Sequence, residues 1–259
     1  MTALLAALMD AGQTGLAVGF IVFLRVGAAM ALLPAFGERS IPERVRLVLA
    51  LAFTAVVAPA VVPQILPIVQ AGNSLVLLLF AEVIAGLALG LALRMFILVL
   101  QMAGSIAAQS TSLSQIFGGA AVEPQPAIGH VMVVSGLALA VMSGLHVRLA
   151  EALIGSYSAF PPGVIPTPGI VSDWGLSRVA HAFALAFTLA APFVIASFIY
   201  NLALGVINRA MPQLMVAFVG APAITAGGLI LLLLSLPLLL SVWNDGLQSF
   251  LANPFGAGK

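Results

Sequence analysis

Residues 75–102 read LVLLLFAEVIAGLALGLALRMFILVLQM, and in this run only Glu82 and Arg94 are ionisable. About 20 consecutive apolar residues in a helix cross the hydrocarbon core of a bilayer, which is about 30 Å thick. The stretch is therefore long enough to span a membrane as one helix. Its composition also leaves too few polar side chains to form the surface of a soluble domain.

The whole chain shares this character. Apolar residues make up 62% of its 259 residues, charged residues make up 7%, and the mean hydropathy is +1.21. Soluble domains are about one-quarter charged, so the sequence predicts an all-α integral membrane protein, a single domain over residues 1–259 without a separate soluble domain. We expect about six long helices, several of them kinked. The six apolar stretches are residues 15–33, 45–62, 75–102, 128–149, 179–206 and 214–242.

Composition also excludes several function classes. The net charge of +1 gives no basic surface for nucleic acid, and the absence of cysteine excludes disulfides and thiol catalysis. The usual hydrolase, zinc-peptidase and nucleotide-binding motifs are missing from the sequence. Residues 1–12 contain no Lys or Arg, so we expect no cleaved signal peptide. Without those motifs, the chain is therefore predicted not to be an enzyme.

The connections between the stretches differ in character. We expect polar connections at residues 63–73 and 104–126, and an extended loop at residues 160–169, which read FPPGVIPTPG. Ser40 and Glu43 have the spacing of a capping box, which predicts a helix beginning at Ile41. Under a six-span count, Arg39, Arg44, Arg46 and Arg209 fall on one side, which the positive-inside rule makes cytoplasmic.

Within or beside the apolar stretches we consider seven ionisable side chains: Arg25, Glu82, Arg94, His146, Arg148, Glu151 and His181. A charge at the centre of a bilayer costs about 2.5–3.5 kcal/mol on insertion scales, so each of them needs a reason. We interpret Arg25, Glu82 and Arg94 as buried structural polar residues, with Arg25 and Glu82 as a pair that fixes helix register. Proton or ion coupling at Glu82 is the alternative. Arg148 and Glu151 are expected to form a local pair.

Residues 104–126 form the most polar connection and read GSIAAQSTSLSQIFGGAAVEPQP. Two interpretations fit this composition. The segment is either a solvated loop or a loop that lines or plugs an aqueous passage, because its hydroxyl and amide groups can face water without binding a charged cargo tightly.

Two blocks of sequence carry a family resemblance. Residues 25–46 read RVGAAMALLPAFGERSIPERVR, and residues 201–222 read NLALGVINRAMPQLMVAFVGAP. Together they resemble the FliR/SctT family of type III secretion export-gate membrane proteins. The residues that match the family motifs are Pro34, Phe36, Pro42, Arg44, Arg46, Asn201, Gly205, Arg209, Pro212 and Gln213.

The resemblance implies a core channel subunit that passes unfolded flagellar proteins across the bacterial inner membrane at the flagellar basal body. It implies membrane lipid and the export-gate subunits FliP, FliQ and FlhB as partners, unfolded export substrates as cargo, no nucleic acid and no cofactor. It also implies that the helices assemble with those partners into a helical complex, with several hairpins above the lipid. A multi-pass transporter of small molecules or ions, with Arg25, Glu82 and Arg94 along a solute route, is the alternative function.

The resemblance further implies a plug across the secretion channel. In this chain the corresponding residues are Gln109, Ser110, Ser112, Ser114, Gln115, Phe117, Gly118 and Gly119.

Overall fold

The computed structural model describes residues 2–34, 41–71, 74–111, 127–211 and 216–256. Within these ranges the secondary structure is entirely helical, because a helix satisfies its backbone polar groups internally where no water is present. The helices are α1 (Thr2–Leu32), α2 (Glu43–Gln70), α3 (Leu75–Thr111), α4 (Ala127–Met142), α5 (Leu145–Ala159), α6 (Pro168–Ala210) and α7 (Val216–Ala252).

Five helical segments are long and apolar enough to cross a membrane: Gly12–Leu32, Glu43–Gln70, Leu75–Ser110, Pro168–Ala210 and Ala223–Ala252. The successive helices α4 and α5 add a sixth candidate if the bent pair counts as one broken span. The prediction of an all-α membrane protein with about six apolar segments is therefore confirmed.

The helices form two compact units. The first comprises Met1–Met95, Ser143–Arg178 and Leu247–Lys259. In it α1 packs against α2, and α2 packs against α5. Its core contains the buried side chains Val22, Val26, Met30, Val57, Val61, Leu89, Leu149 and Leu153.

The second unit comprises Phe96–Met142 and Val179–Gly246. Trp243 lies at its core, where the indole N–H donates a hydrogen bond of 2.8 Å to the carbonyl of Phe96. The two rings meet edge to face, with their centroids 6.4 Å apart. Leu100, Met132, Leu189 and Phe193 are buried in the same unit.

The fourth apolar stretch is not one straight helix. It breaks between α4 and α5, which are bent by 75°. Gly144, the residue before α5, has φ of +82°, a conformation that only glycine adopts without strain. Hydropathy reports how apolar a segment is and not the direction in which it runs, so it did not reveal the turn.

The prediction of a polar connection at residues 63–73 was wrong, because most of these residues belong to a helix. α2 continues to Gln70 and contains Pro59, Pro63 and Pro67. Prolines four residues apart share one side of a helix, and all three are exposed. The lost hydrogen bonds therefore fall on one face, while Ala50, Thr54, Val57, Val61 and Ile65 form the buried face.

Three helix ends differ from prediction by smaller amounts. α2 begins at Glu43 rather than Ile41, with Pro42 as its N-cap and no capping hydrogen bond from a side chain. α3 continues to Thr111, so the polar connection after it is shorter than residues 104–126. The proline-rich loop is non-helical over residues 160–167, and α6 begins at Pro168, because proline suits the first turn of a helix.

Gly86 and Gly90 let α3 approach α1 closely. A Cβ atom at Gly86 would overlap the carbonyl oxygen of Arg25, and one at Gly90 would lie 2.7 Å from the carbonyl oxygen of Ala29. Small residues in this G-x-x-x-G spacing allow two helix backbones to meet. The same spacing at Gly15 and Gly19 has no atom within 4 Å of either added Cβ.

We therefore predict that Gly86→Ala lowers the stability of the chain by about 1–3 kcal/mol, the usual cost of overpacking a close contact. Gly19→Ala is the matched control, because an alanine there meets open space and favours the helix. The measurement is the thermal unfolding midpoint of each variant purified in mild detergent. Equal midpoints for the two variants would contradict the close contact between α1 and α3.

Candidate functional site

A buried ion pair joins α1 and α3 in the first unit. The Nε atom of Arg25 donates to Oε2 of Glu82 at 2.8 Å, and Nη2 donates to Oε1 at 2.9 Å. The two side chains are 1% and 0% exposed. This bidentate geometry is the strongest form of the arginine–carboxylate contact, and it fixes direction as well as distance.

The same guanidinium reaches α5 and the loop that follows it. Nη1 donates to Oγ of Ser156 at 3.1 Å, and Nη2 donates to the carbonyl of Phe160 at 2.9 Å. The guanidinium carbon also lies 3.7 Å from the centre of the Tyr157 ring. One side chain thus bonds two other helices and a loop, and we call Arg25, Glu82, Ser156, Tyr157 and the Phe160 carbonyl the Arg25 cluster.

In the Arg25 cluster the two charges neutralise each other and are not placed to carry a solute. Glu82 offsets the charge of Arg25, and the remaining bonds go to a hydroxyl and a backbone carbonyl. A solute route of the kind the transporter alternative requires would have these charges facing water. Arg94 lies farther along α3 and is half-buried.

Four of the candidate ionisable residues lie at the surface. Arg148 and Glu151 form the predicted i,i+3 pair at 3.1 Å, with side chains 53% and 58% exposed. His146 and His181 are exposed. Among the described residues, no group of three His, Asp or Glu side chains is placed to hold a metal ion.

The C-terminal residues attach to the start of α6, a contact that the sequence analysis missed. The indole N–H of Trp174 donates to the carbonyl of Pro254 at 3.1 Å, and Nη2 of Arg178 donates to that of Gly256 at 3.0 Å. The ring of Phe255 lies 4.6 Å from that of Phe160, edge to face. The only available signal was the presence of aromatic residues after the last apolar stretch, Phe255 among them.

The first motif block surrounds the end of α1 and the start of α2. Pro34 is buried just after α1, and Pro42 is the N-cap of α2. Arg44 is exposed and Arg46 is half-buried in the first turns of α2. Phe36 lies outside the described residues.

The second motif block begins in the last turns of α6 and ends in the first turns of α7. Asn201, Gly205 and Arg209 are all exposed, and Arg209 is in the last turn, where a cation complements the helix dipole. Pro212 and Gln213 lie outside the described residues.

Two of the predicted plug residues belong to the end of α3. Gln109 is exposed and Ser110 is half-buried, with its hydroxyl donating to the carbonyl of Ala107 at 2.8 Å. The other plug residues lie outside the described part of the chain: Ser112, Ser114, Gln115, Phe117, Gly118 and Gly119.

An open cavity of about 340 Å³ lies between α6 and α7 in the second unit. Its walls are apolar except for the hydroxyl groups of Ser197 and Tyr200. These walls hold no carboxylate, imidazole or amine, so the cavity offers no general acid or base.

Comparison with known proteins gives a consistent result over nearly the whole chain. Residues 16–250 match the model of the family described as bacterial export proteins, family 1. The chain is similar to the flagellar biosynthetic protein FliR of Caulobacter vibrioides, with 34% identity over 90% of this chain and 94% of that protein. It is also 28% identical to the FliR of Bacillus subtilis, over 86% and 87% of the two chains. The FliR of Escherichia coli is 27% identical over 85% of this chain and 84% of its own.

We predict that Arg25→Ala destabilises the chain by about 3–5 kcal/mol, because it leaves the Glu82 carboxylate buried without its partner. The double substitution of Arg25→Met with Glu82→Leu should be less harmful than Arg25→Ala, since it leaves no charge unpaired. Arg148→Ala serves as the control, because its exposed pair contributes less than about 1 kcal/mol. The measurement is again the unfolding midpoint in detergent. Similar losses for Arg25→Ala and Arg148→Ala would show that the Arg25 cluster does not hold the helices together.

Proposed function

Because the chain belongs to the family of bacterial export proteins, family 1, we propose that it is a channel subunit of the flagellar type III export apparatus. In this role it passes unfolded flagellar proteins across the bacterial inner membrane while the flagellum is built. The observation that carries the proposal is the family match, which extends over residues 16–250 and leaves out only short ends. Similarity to flagellar relatives over 84–94% of their lengths supports the same assignment.

The helix lengths support assembly with other proteins. α6 has 43 residues and is about 65 Å long at 1.5 Å per residue, roughly twice the thickness of a hydrocarbon core. Exposed apolar side chains occur along its length from Ile170 to Ile207. A bilayer covers only part of that length, so we propose that partner subunits cover the rest.

The partners we propose are the export-gate subunits FliP and FliQ, with FlhB beside them, and membrane lipid around the spanning segments. Unfolded export substrates are the cargo. The whole chain acts as one membrane domain at the flagellar basal body. It works without a cofactor and without catalysis of its own, and the energy for export comes from other components.

We further propose that the segment beginning at Gln109 closes the channel at rest. Its hydroxyl, amide and glycine residues suit a plug that contacts water and passing chains without holding either tightly.

The Arg25 cluster has a structural role in this proposal. It fixes the packing of α1, α3 and α5, and disturbing it should affect assembly of the complex before it affects transport.

Deletion of the coding sequence should abolish secretion of hook and filament proteins, and a plasmid copy should restore it. The measurement is the amount of these proteins in the culture medium, with total cellular amounts as the control. Normal secretion in the deletion strain would refute the proposed function.

Purification of the tagged chain in mild detergent tests the partners separately, since we expect one large complex that contains the other gate subunits. Recovery of the chain alone, with those subunits present in the same cells, would contradict the proposed assembly.

Removing residues 110–115 should make the assembled complex leaky to ions and small molecules, because this shortens the proposed plug. The measurement is single-channel conductance, or entry of a small solute into cells that express the complex. The variant is compared with the unaltered chain at equal complex yield, so that a loss of assembly is not mistaken for a loss of closure. Unchanged conductance at equal yield would remove this segment from the closing mechanism.

A further inference from the structure

One turn of α6 carries three polar side chains inside an otherwise apolar part of the helix. Ser197, Tyr200 and Asn201 are three and four residues apart, so they project from the same side. The residues around them include Phe193, Ile195, Phe198 and Leu202. Polar side chains in such a setting need partners, because an unsatisfied polar group away from water is costly.

Ser197 finds its partner at the end of α3. Its hydroxyl donates a hydrogen bond to the backbone carbonyl of Ser110. Because α3 ends at Thr111, the carbonyl of Ser110 is among the last four of the helix. These four carbonyls have no N–H partner within the helix. Ser197 is 8% exposed, so its hydroxyl needs a partner within the protein.

Asn201 sets the direction of that bond. Its Nδ2 atom donates to Oγ of Ser197 at 3.1 Å. The Ser197 oxygen accepts from Asn201, so its own proton is left to point at the Ser110 carbonyl. Asn201, the first residue of the second motif block, thus has a structural role, because it orients the Ser197 hydroxyl.

Tyr200 holds the other neighbouring helix. Its hydroxyl donates to the carbonyl of Gly220 at 2.7 Å, in the second turn of α7. A Cβ atom at Gly220 would lie 3.1 Å from the Tyr200 oxygen and 3.1 Å from a methyl carbon of Leu204. The glycine therefore allows the two helices to approach closely enough for this bond to form.

We propose that Ser197, Tyr200 and Asn201 form a clasp that positions the end of α3 and the beginning of α7 on one turn of α6. Residues 110 and 220 are distant in sequence, and the clasp brings both backbones to the same place. All the contacts lie within the second unit. The three clasp residues are positioning residues, and the clasp fixes the point at which the chain leaves α3 toward the polar connection.

Amide hydrogen exchange of the purified complex tests the clasp directly. Ser197→Ala should speed exchange in the last turn of α3, residues 107–111, by roughly tenfold, which corresponds to about 1.4 kcal/mol. Tyr200→Phe should instead speed exchange near residue 220. Ser197→Thr keeps the hydroxyl and should restore slow exchange at the end of α3. Thr188→Val is the matched control, because the Thr188 hydroxyl bonds only within α6, to the carbonyl of Ala184 at 2.8 Å.

Wild-type exchange at residues 107–111 in Ser197→Ala would overturn the clasp, whatever the protein does in the cell. Secretion of filament protein then tests whether the clasp matters for export, which rests on the proposed function. We expect Ser197→Ala and Asn201→Leu to lower secretion several-fold at normal complex yield, and Ser197→Thr to retain it. Normal secretion by both variants would overturn the positioning role. If deletion of the whole chain also left secretion normal, the proposed function itself would fail, so the two failures are distinguishable.

Discussion

Backbone amides and carbonyls in a chain this apolar have to be satisfied within the protein, because lipid and apolar partners offer them no hydrogen bonds. Helices meet this constraint for all but their ends, and the described residues accordingly form seven helices of up to 43 residues. The backbone groups that still need partners lie where helices end or break. Several of the described polar contacts lie at such helix ends.

Two groups of side chains meet this difficulty in different ways. In the first unit, Arg25 joins α1, α3 and α5 and also bonds the Phe160 carbonyl just after α5. Its charge is tolerated because Glu82 neutralises it, and its remaining donors reach a hydroxyl and a carbonyl. In the second unit, uncharged side chains supply the hydrogen bonds that these backbone carbonyls need. Ser197 satisfies a carbonyl at the end of α3, and Tyr200 bonds one in the second turn of α7.

The accuracy of the sequence analysis depended on whether a feature was local. The apolar stretches were found because hydropathy sums over neighbouring residues. Residues 63–73 were expected to form a polar connection, but α2 continues to Gln70, with its three prolines on one exposed face. The turn before α5 was missed because one glycine with φ of +82° changes direction without changing hydropathy. The clasp was missed because Ser197, Tyr200 and Gly220 look ordinary in an apolar sequence.

The sequence by itself determined that the chain is an all-α membrane protein, approximately where its apolar segments lie, and the family to which its two motif blocks belong. These properties depend on composition and on the order of residues along the chain. Only the tertiary structure decided which side chains surround Arg25, which G-x-x-x-G spacing brings helices together, and which helix ends Ser197 and Tyr200 hold. Each of these depends on ångström-scale distances between residues far apart in sequence, and helix packing sets those distances.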